Sequence, residues 1–223
     1  MPRTAPVSGG VYAYAGYTFV SEGGAFPSPK LTLTAGDFVS VFCTGAGTSA
    51  TTLTASSAPS NTFGHLASVF VSNTGSVNQE FYILNAAAGP TTFTCAQGGS
   101  GAGGFRSTVV MQFHHSGTAA EANATSDVSA AAKGSPFVSK AFSVSSPSLV
   151  IYCNRTGNNS TTFTAGPIGG ATATLGGVAA ASFTTASDAG CEYRNVPAAA
   201  SSMTSSIAST SSGTSGVSGG AFN

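Results

Sequence analysis

Two glycine-rich motifs in this sequence have the spacing of known cofactor or catalytic loops. Residues 99–104 fit Gly-x-Gly-x-x-Gly, which cradles a dinucleotide when a strand precedes it and a helix follows it. Residues 105–113 alternate like a strand, so we expect a flexible connection between strands. Residues 216–220 fit Gly-x-Ser-x-Gly, but the helix and histidine that a serine hydrolase needs do not follow them. Neither motif predicts a catalytic or cofactor-binding site.

Histidine and aspartate are the next candidates for metal binding or proton transfer. His114 and His115 are adjacent, and neighbouring side chains of a strand point to opposite faces, so the pair cannot easily hold one ion. A place at a strand end or an interface is the better interpretation for both. Asp37, Asp127 and Asp188 stand beside glycine or other small residues, where aspartate forms turns. We therefore predict no catalytic residue, no metal site and no cofactor, in a protein that is not an enzyme.

The four cysteines lie far apart and form no Cys-x-x-Cys pair, which argues against zinc. Cys43 and Cys153 are flanked by apolar, strand-like residues, so buried reduced thiols are the first interpretation. Disulfides Cys43–Cys95 and Cys153–Cys191 are the alternative, since each would lie within one half of the chain. The partner cysteines align poorly between the halves, which favours the reduced form.

Tyr12, Tyr14 and Tyr17 nearly alternate in the first candidate strand and could line an exposed face. Sugar-binding surfaces commonly present exposed tyrosine or tryptophan, so these three residues are the best handle for a glycan-binding surface. The chain has 15 Phe and no Trp, a bias that favours core packing. With His114 and His115, the three tyrosines are the predicted interface residues.

Charge is rare in this chain. Only 6% of the residues are charged, and 7 basic residues balance 7 acidic ones, against roughly 25% charged residues in ordinary soluble domains. Nothing in this balance attracts a polyanion, so nucleic acid is not a predicted partner. The N-terminus has no signal-peptide pattern, and no apolar run approaches the roughly 20 residues that cross a bilayer, so no membrane contact is expected.

A neutral surface protects poorly against self-association. One interpretation is that much of the surface packs against other copies in an assembly. The other is a secreted or environmental protein with an uncharged coat rich in hydroxyl groups.

The elements that must position these residues repeat along the chain. The run from Cys43 to Ala55 returns without a gap as the run from Cys153 to Ala165, at an offset of 110 residues. An offset of this length predicts two homologous modules.

Period-two runs separated by Gly, Asn, Pro and Ser clusters predict short strands throughout, and no stretch has a helical period with caps. The candidate strands are 11–20, 31–34, 38–42, 51–55, 66–72, 80–84, 91–96, 106–113, 137–145, 149–153, 161–165, 179–185, 192–196 and 203–207, with a last one within 205–222. We predict an all-β fold of two tandem antiparallel β-sandwich modules, jelly-roll or immunoglobulin-like. Module one spans 1–116 with an N-terminal arm, 117–135 is a linker, and module two spans 136–223.

Several segments of the first half carry a family resemblance. Residues 60–63 read Ser-Asn-Thr-Phe, residues 85–89 read Asn-Ala-Ala-Ala-Gly, and the strand-like runs 67–71, 81–84, 91–94 and 105–113 surround them. This arrangement resembles β-sandwich repeats of virion structural and fibre proteins of tailed phages and of large bacterial surface proteins. The second half keeps only fragments of it, Tyr193 and residues 198–200. The resemblance implies a fold and a place on a virion or cell exterior, without implying a site.

The expected function is therefore structural. We predict a virion-type protein, a capsid-decorating or fibre component, that binds copies of itself or a major capsid or tail protein. The alternative is a carbohydrate-binding or adhesion module that contacts surface glycans. Residues 11–20 lack a counterpart in the second half and carry no Lys or Pro, so we expect residues 1–22 to pair with a neighbouring subunit.

Overall fold

The computed structural model describes residues 12–22, 29–71, 75–99, 106–115, 122–123, 129–130, 136–156, 162–179, 188–210 and 215–223. Within these ranges every regular element is a β-strand, and paired strands run antiparallel. The predicted all-β, antiparallel fold is confirmed. No helix in the described ranges has the length and apolarity of a membrane span.

Residues 12–115 form two sheets. Their strands are β1 (Tyr12–Glu22), β2 (Lys30–Leu33), β3 (Phe38–Ala46), β4 (Thr52–Ala58), β5 (Gly64–His65), β6 (Val69–Val71), β7 (Ser76–Ile83), β8 (Gly89–Gly98) and β9 (Arg106–His115). Sheet A has the order β1-β9-β3-β7-β5, and β6 also pairs with β7. Sheet B has the order β2-β8-β4.

Residues 122–223 form one large sheet and three small ones. Their strands are β10 (Ala122–Asn123), β11 (Ser129–Ala130), β12 (Phe137–Val138), β13 (Phe142–Val144), β14 (Ser148–Thr156), β15 (Phe163–Thr164), β16 (Pro167–Ile168), β17 (Ala171–Thr172), β18 (Thr174–Ala179), β19 (Asp188–Val196), β20 (Ala200–Met203), β21 (Ser206–Ser209) and β22 (Ser215–Phe222). Sheet C has the order β10-β22-β14-β19-β18, and β11 also pairs with β22. The small sheets are β12-β21-β15, β13-β20 and β16-β17.

The strands stack into four layers with three apolar cores between them. Sheet B covers one face of sheet A, sheet C covers the other, and the small sheets cover the far face of sheet C. The middle strands β3 and β14 are therefore buried on both faces, which explains their nearly continuous apolar sequences. We call the layer between sheets A and C the central core. It is built by Tyr12, Phe38, Phe42, Leu66, Val109, Met111 and Phe113 from the first half and by Leu149, Ile151, Cys153, Ala189, Cys191 and Phe222 from the second.

The two large sheets share a topology, with β9-β3-β7 in sheet A matching β22-β14-β19 in sheet C. The ungapped repeat nevertheless misaligns the side chains, because Cys43 lies in the core between sheets A and B and Cys153 lies in the central core. Successive side chains of a strand point to opposite faces, so a slip of one residue is enough to cause this. An offset of 111 residues instead pairs Phe42 with Cys153 and Tyr82 with Tyr193, all of which face the central core.

All four cysteines form disulfides, so the first interpretation, reduced thiols, was wrong. Cys43 of β3 is joined to Cys95 of β8, which links sheets A and B. Cys153 and Cys191 lie opposite each other on the neighbouring strands β14 and β19. The first pair meets through sheet packing and the second through strand register. Neither requires the partner cysteines to align between the halves.

The segment predicted as a linker is part of sheet C where the structure describes it. Residues 122–123 and 129–130 pair with β22, and the remainder of 117–135 lies outside the described residues. The central core is built by both halves of the chain. The division into two modules remains a prediction, and the two halves do not have wholly separate cores. Of the candidate strand 179–185, only residue 179 is described.

Candidate functional site

Tyr12 is buried rather than exposed, which corrects the prediction that it lines an open face. It is 1% exposed and lies in the central core. Its ring meets Phe38 edge-on at 5.5 Å between centroids and lies 4.4 Å from the ring of His115. Burial raises the pKa of Tyr12 to about 12. This tyrosine holds the fold and cannot contact a partner or a glycan.

Tyr14 is half-buried between the two halves, so it is also unavailable as an exposed platform. Its ring stacks on Tyr193 of β19, with centroids 5.0 Å apart and planes 18° apart. Its hydroxyl donates a hydrogen bond to the carbonyl of Gly176 in β18. Burial, followed by the nearby Tyr193 and Tyr17, raises the pKa of Tyr14 to about 12. The predicted interface residue thus serves an interface inside one chain.

Tyr17 is the member of the tyrosine set that remains open to solvent, at 43% exposure. Phe19, which is 41% exposed, stacks beside it with centroids 6.1 Å apart and planes 20° apart. Both rings lie on β1, the edge strand of sheet A. The sequence analysis missed Phe19, although it stands two residues after Tyr17 and therefore on the same face of the strand.

His114 and His115 point to opposite sides of the end of β9. The Nδ1 of His114, a residue 54% exposed, lies 2.8 Å from Oδ1 of the buried Asp37. The ring of His115 packs against Tyr12. Asp37 also accepts hydrogen bonds from the backbone N–H of Thr34 and from the side-chain amide of Gln112, so it holds a turn.

The glycine motifs lie in strands or strand connections. Residues 216–220 are within β22, and Gly99 follows β8, with β9 as the next strand in sequence. Residues 100–104 lie outside the described residues. Asp127, expected in a turn, lies outside them too, and Asp188 is buried in β19. Among the described residues, no group of three or more His, Cys, Asp or Glu side chains could hold a metal ion.

The strand β1 is paired on one side within its own half, and the sequence predicts that it is also available for pairing outside its module. Tyr12 to Glu22 run antiparallel to β9, with one irregularity between Tyr14 and Gly16. Residues 1–11 lie outside the described residues. Among the strands that the structure describes, β1 has a partner on one side only. We call its unpaired side the β1 edge.

A cleft at the β5 edge of sheet A, with one part on each side of Phe63, is a feature that sequence reasoning missed. One part, of about 440 Å³, is lined by Thr62, Phe63, Gly64, Tyr82, Leu84 and Asn85. A second part, of about 390 Å³, lies on the other side of Phe63, between β4 and β7. The sequence indicated a turn at residues 61–63, but it did not indicate that Phe63 of this turn lines a cleft.

Two buried glutamates also escaped the sequence analysis. Glu80 pairs with Phe42 across strands, so its side chain faces the central core, where the Ser40 hydroxyl donates to its Oε1 at 3.0 Å. Burial raises the pKa of Glu80 to about 8, although the Ser40 bond opposes the shift. Glu192 faces the small sheets and accepts hydrogen bonds from the Gly166 N–H and the Ser205 hydroxyl. Burial raises its pKa too, against these hydrogen bonds.

Comparison with known proteins gives no match to a protein-family model, to a curated protein or to a solved structure.

Proposed function

We propose that this protein is a structural component of a virion or a similar particle, a capsid-decorating or fibre protein that acts through protein–protein contacts. The observation that carries the proposal is the β1 edge, which is unpaired among the described strands. Beside it, on the face of β1 that pairs with Met111 and Val109, stand the exposed, stacked rings of Tyr17 and Phe19. The partner is a second copy of the chain or a major capsid or tail protein.

The β1 edge suits strand addition. From Gly16 to Glu22 the strand pairs with β9 without interruption, which gives about 3.3 Å of extended chain per residue for a neighbour to follow. Edge strands usually avoid such contacts because they carry lysine, proline or charged side chains that point inward. This strand contains neither Lys nor Pro, and its one charged residue is the terminal Glu22. Strand addition binds a partner through main-chain hydrogen bonds and needs no charged contacts. It therefore suits a chain in which only 6% of the residues are charged.

The rest of the fold suits a structural protein that must stay folded within an assembly. Three cores lie between four layers, and two disulfides reinforce them. Disulfides persist in oxidising surroundings such as a particle exterior. The buried acids Glu80 and Glu192, whose pKa values are raised, do not line either part of the cleft, whereas catalytic groups with shifted pKa values usually lie in a cleft.

The adhesion alternative relied on exposed rings of Tyr12, Tyr14 and Tyr17. Tyr12 is buried and Tyr14 packs against the central core, so only Tyr17 of the three is exposed. A glycan-binding role therefore needs another surface.

The variant Phe19→Lys tests the proposal, because it places a charge on the β1 edge at an exposed position. Val138→Lys is the matched control, since Val138 is 50% exposed on β12, a strand of the small sheets. Sedimentation velocity of the full chain, alone and with its native particle, should show association that Phe19→Lys weakens at least about tenfold, or about 1.4 kcal/mol. Val138→Lys should associate like the wild type. Equal association by both variants would contradict the proposal.

A further inference from the structure

The smaller part of the cleft lies where β4 and β5, the edge strands of sheets B and A, leave the first sandwich open. The larger part lies across the β5 edge, on the face of sheet A where Tyr82 and Leu84 pack toward the central core. Phe63 stands between its two parts, of about 440 and 390 Å³. Each part falls within the range of about 300–1,000 Å³ that small-ligand sites occupy. The cleft is therefore large enough for a ligand that extends past Phe63 on both sides.

The lining of the cleft combines aromatic surface with uncharged hydrogen-bonding groups. Phe63 and Tyr82 provide rings in the larger part, and Phe63 and Phe81 do so in the smaller. The polar groups are Thr52, Thr54, Thr62, His65, Ser68, Gln79 and Asn85. Among the residues that the structure describes, no Asp, Glu, Lys or Arg lines either part. A ligand recognised by an ion pair, such as a phosphate or a sialic acid, has no partner here, whereas a neutral ligand avoids that desolvation cost.

The turn that carries Phe63 is fixed before any ligand binds. The side-chain oxygen of Asn61 accepts a hydrogen bond from the Ala87 N–H at 2.9 Å, and its backbone N–H donates to the Ser57 hydroxyl at 3.0 Å. Gly64 crosses the ring of Tyr82 so closely that an added Cβ would lie 2.3 Å from it. Rigid aromatic rings lower the entropic cost of binding.

The polar floor of the smaller part is also ordered. The Gln79 side-chain amide donates to the carbonyl of Leu66 at 2.9 Å and lies 3.3 Å from Nδ1 of His65. Residues 52–55 of β4 form the opposite wall, with Leu53 and Ala55 turned toward the sandwich core and Thr52 and Thr54 turned away from it. Hydroxyl and amide groups that both donate and accept match the hydroxyl groups of a sugar.

We propose that this cleft binds a neutral oligosaccharide, with sugar rings packed on both sides of Phe63. Thr62 and Asn85 hydrogen-bond the ligand in the larger part, and Ser68 and Gln79 do so in the smaller. The site is separate from the β1 edge, so it adds surface-glycan binding to a structural protein and does not depend on the proposed assembly.

Isothermal titration of the full chain with maltohexaose, cellohexaose, xylohexaose and chitohexaose tests the site, with 3′-sialyllactose as the charged comparator. At least one neutral probe should bind saturably below about 10 mM, a free energy beyond about −2.7 kcal/mol. Phe63→Ala should weaken that binding at least about tenfold. Asn85→Ala, at an exposed position on the rim, should weaken it in a chain whose core is untouched. Phe19→Ala removes an exposed ring outside the cleft and should bind like the wild type.

No saturable binding of any neutral probe would overturn the site. So would unchanged binding by both Phe63→Ala and Asn85→Ala, or a preference for 3′-sialyllactose. Failure of this site would leave association through the β1 edge intact, because Phe19→Lys reports on that edge alone.

Discussion

The two halves of the chain fasten their outer sheets to their large sheets in different ways. In the first half, β4 pairs with β8 along seven residues in sheet B, and the Cys43–Cys95 disulfide joins sheet B to sheet A. In the second half the outer layer is divided into three small sheets, and the disulfide lies within sheet C. There the Glu192 carboxylate reaches from sheet C to Gly166 and Ser205 of the outer layer.

The difference shows that two large sheets with one strand order can hold their outer layers in different ways. One uses a disulfide, and the other uses hydrogen bonds to a buried carboxylate. The carboxylate suits a fragmented layer because it accepts several hydrogen bonds from loops that have no regular pairing. Gly166 fits the arrangement, since an added Cβ would lie 1.5 Å from the carbonyl oxygen of Ser206. In the first half the disulfide joins a continuous outer sheet, and the side-chain amides of Gln97 and Gln112 add hydrogen bonds between the two sheets.

The largest expected effect separates the two disulfides. They close loops with sequence separations of 52 and 38 residues, so loss of either should lower the free energy of unfolding by about 4 kcal/mol. Replacing Cys43 and Cys95 by alanine should also speed hydrogen exchange in β8, because the tie between sheets is lost. Replacing Cys153 and Cys191 should leave exchange in β19 slow, because its ladder to β14 remains. If the amides of β8 exchanged as slowly in the Cys43 and Cys95 variant as in the wild type, the disulfide would not be what holds sheet B on sheet A.

Glu80→Gln should stabilise the protein at alkaline pH. The folded chain keeps Glu80 protonated up to a pKa of about 8, whereas its ordinary value is 4.5. Between these two values the folded state binds more protons than the unfolded state. The free energy of unfolding therefore falls as pH rises from 4.5 to about 8. The variant should gain about 5 kcal/mol near pH 9 and little near pH 4. Urea unfolding across this range measures the gain, and an unchanged slope with pH would contradict it.

The same substitution at Glu192 should act in the opposite direction. An amide in place of the carboxylate offers one acceptor oxygen, so a donor among Gly166 N–H, Ser205 hydroxyl and Ser206 N–H loses its partner. An unsatisfied buried donor costs about 2 kcal/mol. Urea unfolding near neutral pH should show Glu192→Gln less stable than the wild type. If Glu192→Gln were as stable as the wild type, the acid would not be what fastens the small sheets.

Tyr14→Phe should have the smallest effect. It removes the hydrogen bond to Gly176 that links the edges of sheets A and C and keeps the ring stacked on Tyr193. The expected loss is about 1 kcal/mol. Tyr17→Phe is the control, because Tyr17 is exposed and a surface change of this kind stays within about 0.5 kcal/mol. Equal midpoints in urea for both variants would show that the hydroxyl of Tyr14 does not stabilise the contact.

The strands that the sequence predicted best are those buried on both faces. The runs 38–42 and 149–153 lie within β3 and β14, because apolar residues on two faces leave a continuous signal. The last strand, expected within 205–222 from the repeat, is β22. The edge strands β10 and β11 carried no such signal, since main-chain pairing with β22 needs no apolar pattern.

The candidate site was harder to predict because it depends on which sheet covers which. Alternation placed Tyr12 and Tyr14 on one face of a strand, but only the packing of sheet C against sheet A buries that face. The disulfides likewise depend on contacts between strands that are far apart in the sequence. Phe63 was visible as part of a turn, whereas its cleft arises from the gap between two sheets.

Imaging the native assembly by electron cryomicroscopy at side-chain resolution tests the central claim most directly. The account predicts that each copy of the chain contacts a neighbouring subunit through the β1 edge, with Tyr17 and Phe19 covered by that neighbour. An assembly in which β1 faces solvent on every copy, with Tyr17 and Phe19 as exposed as in the single chain, would contradict it.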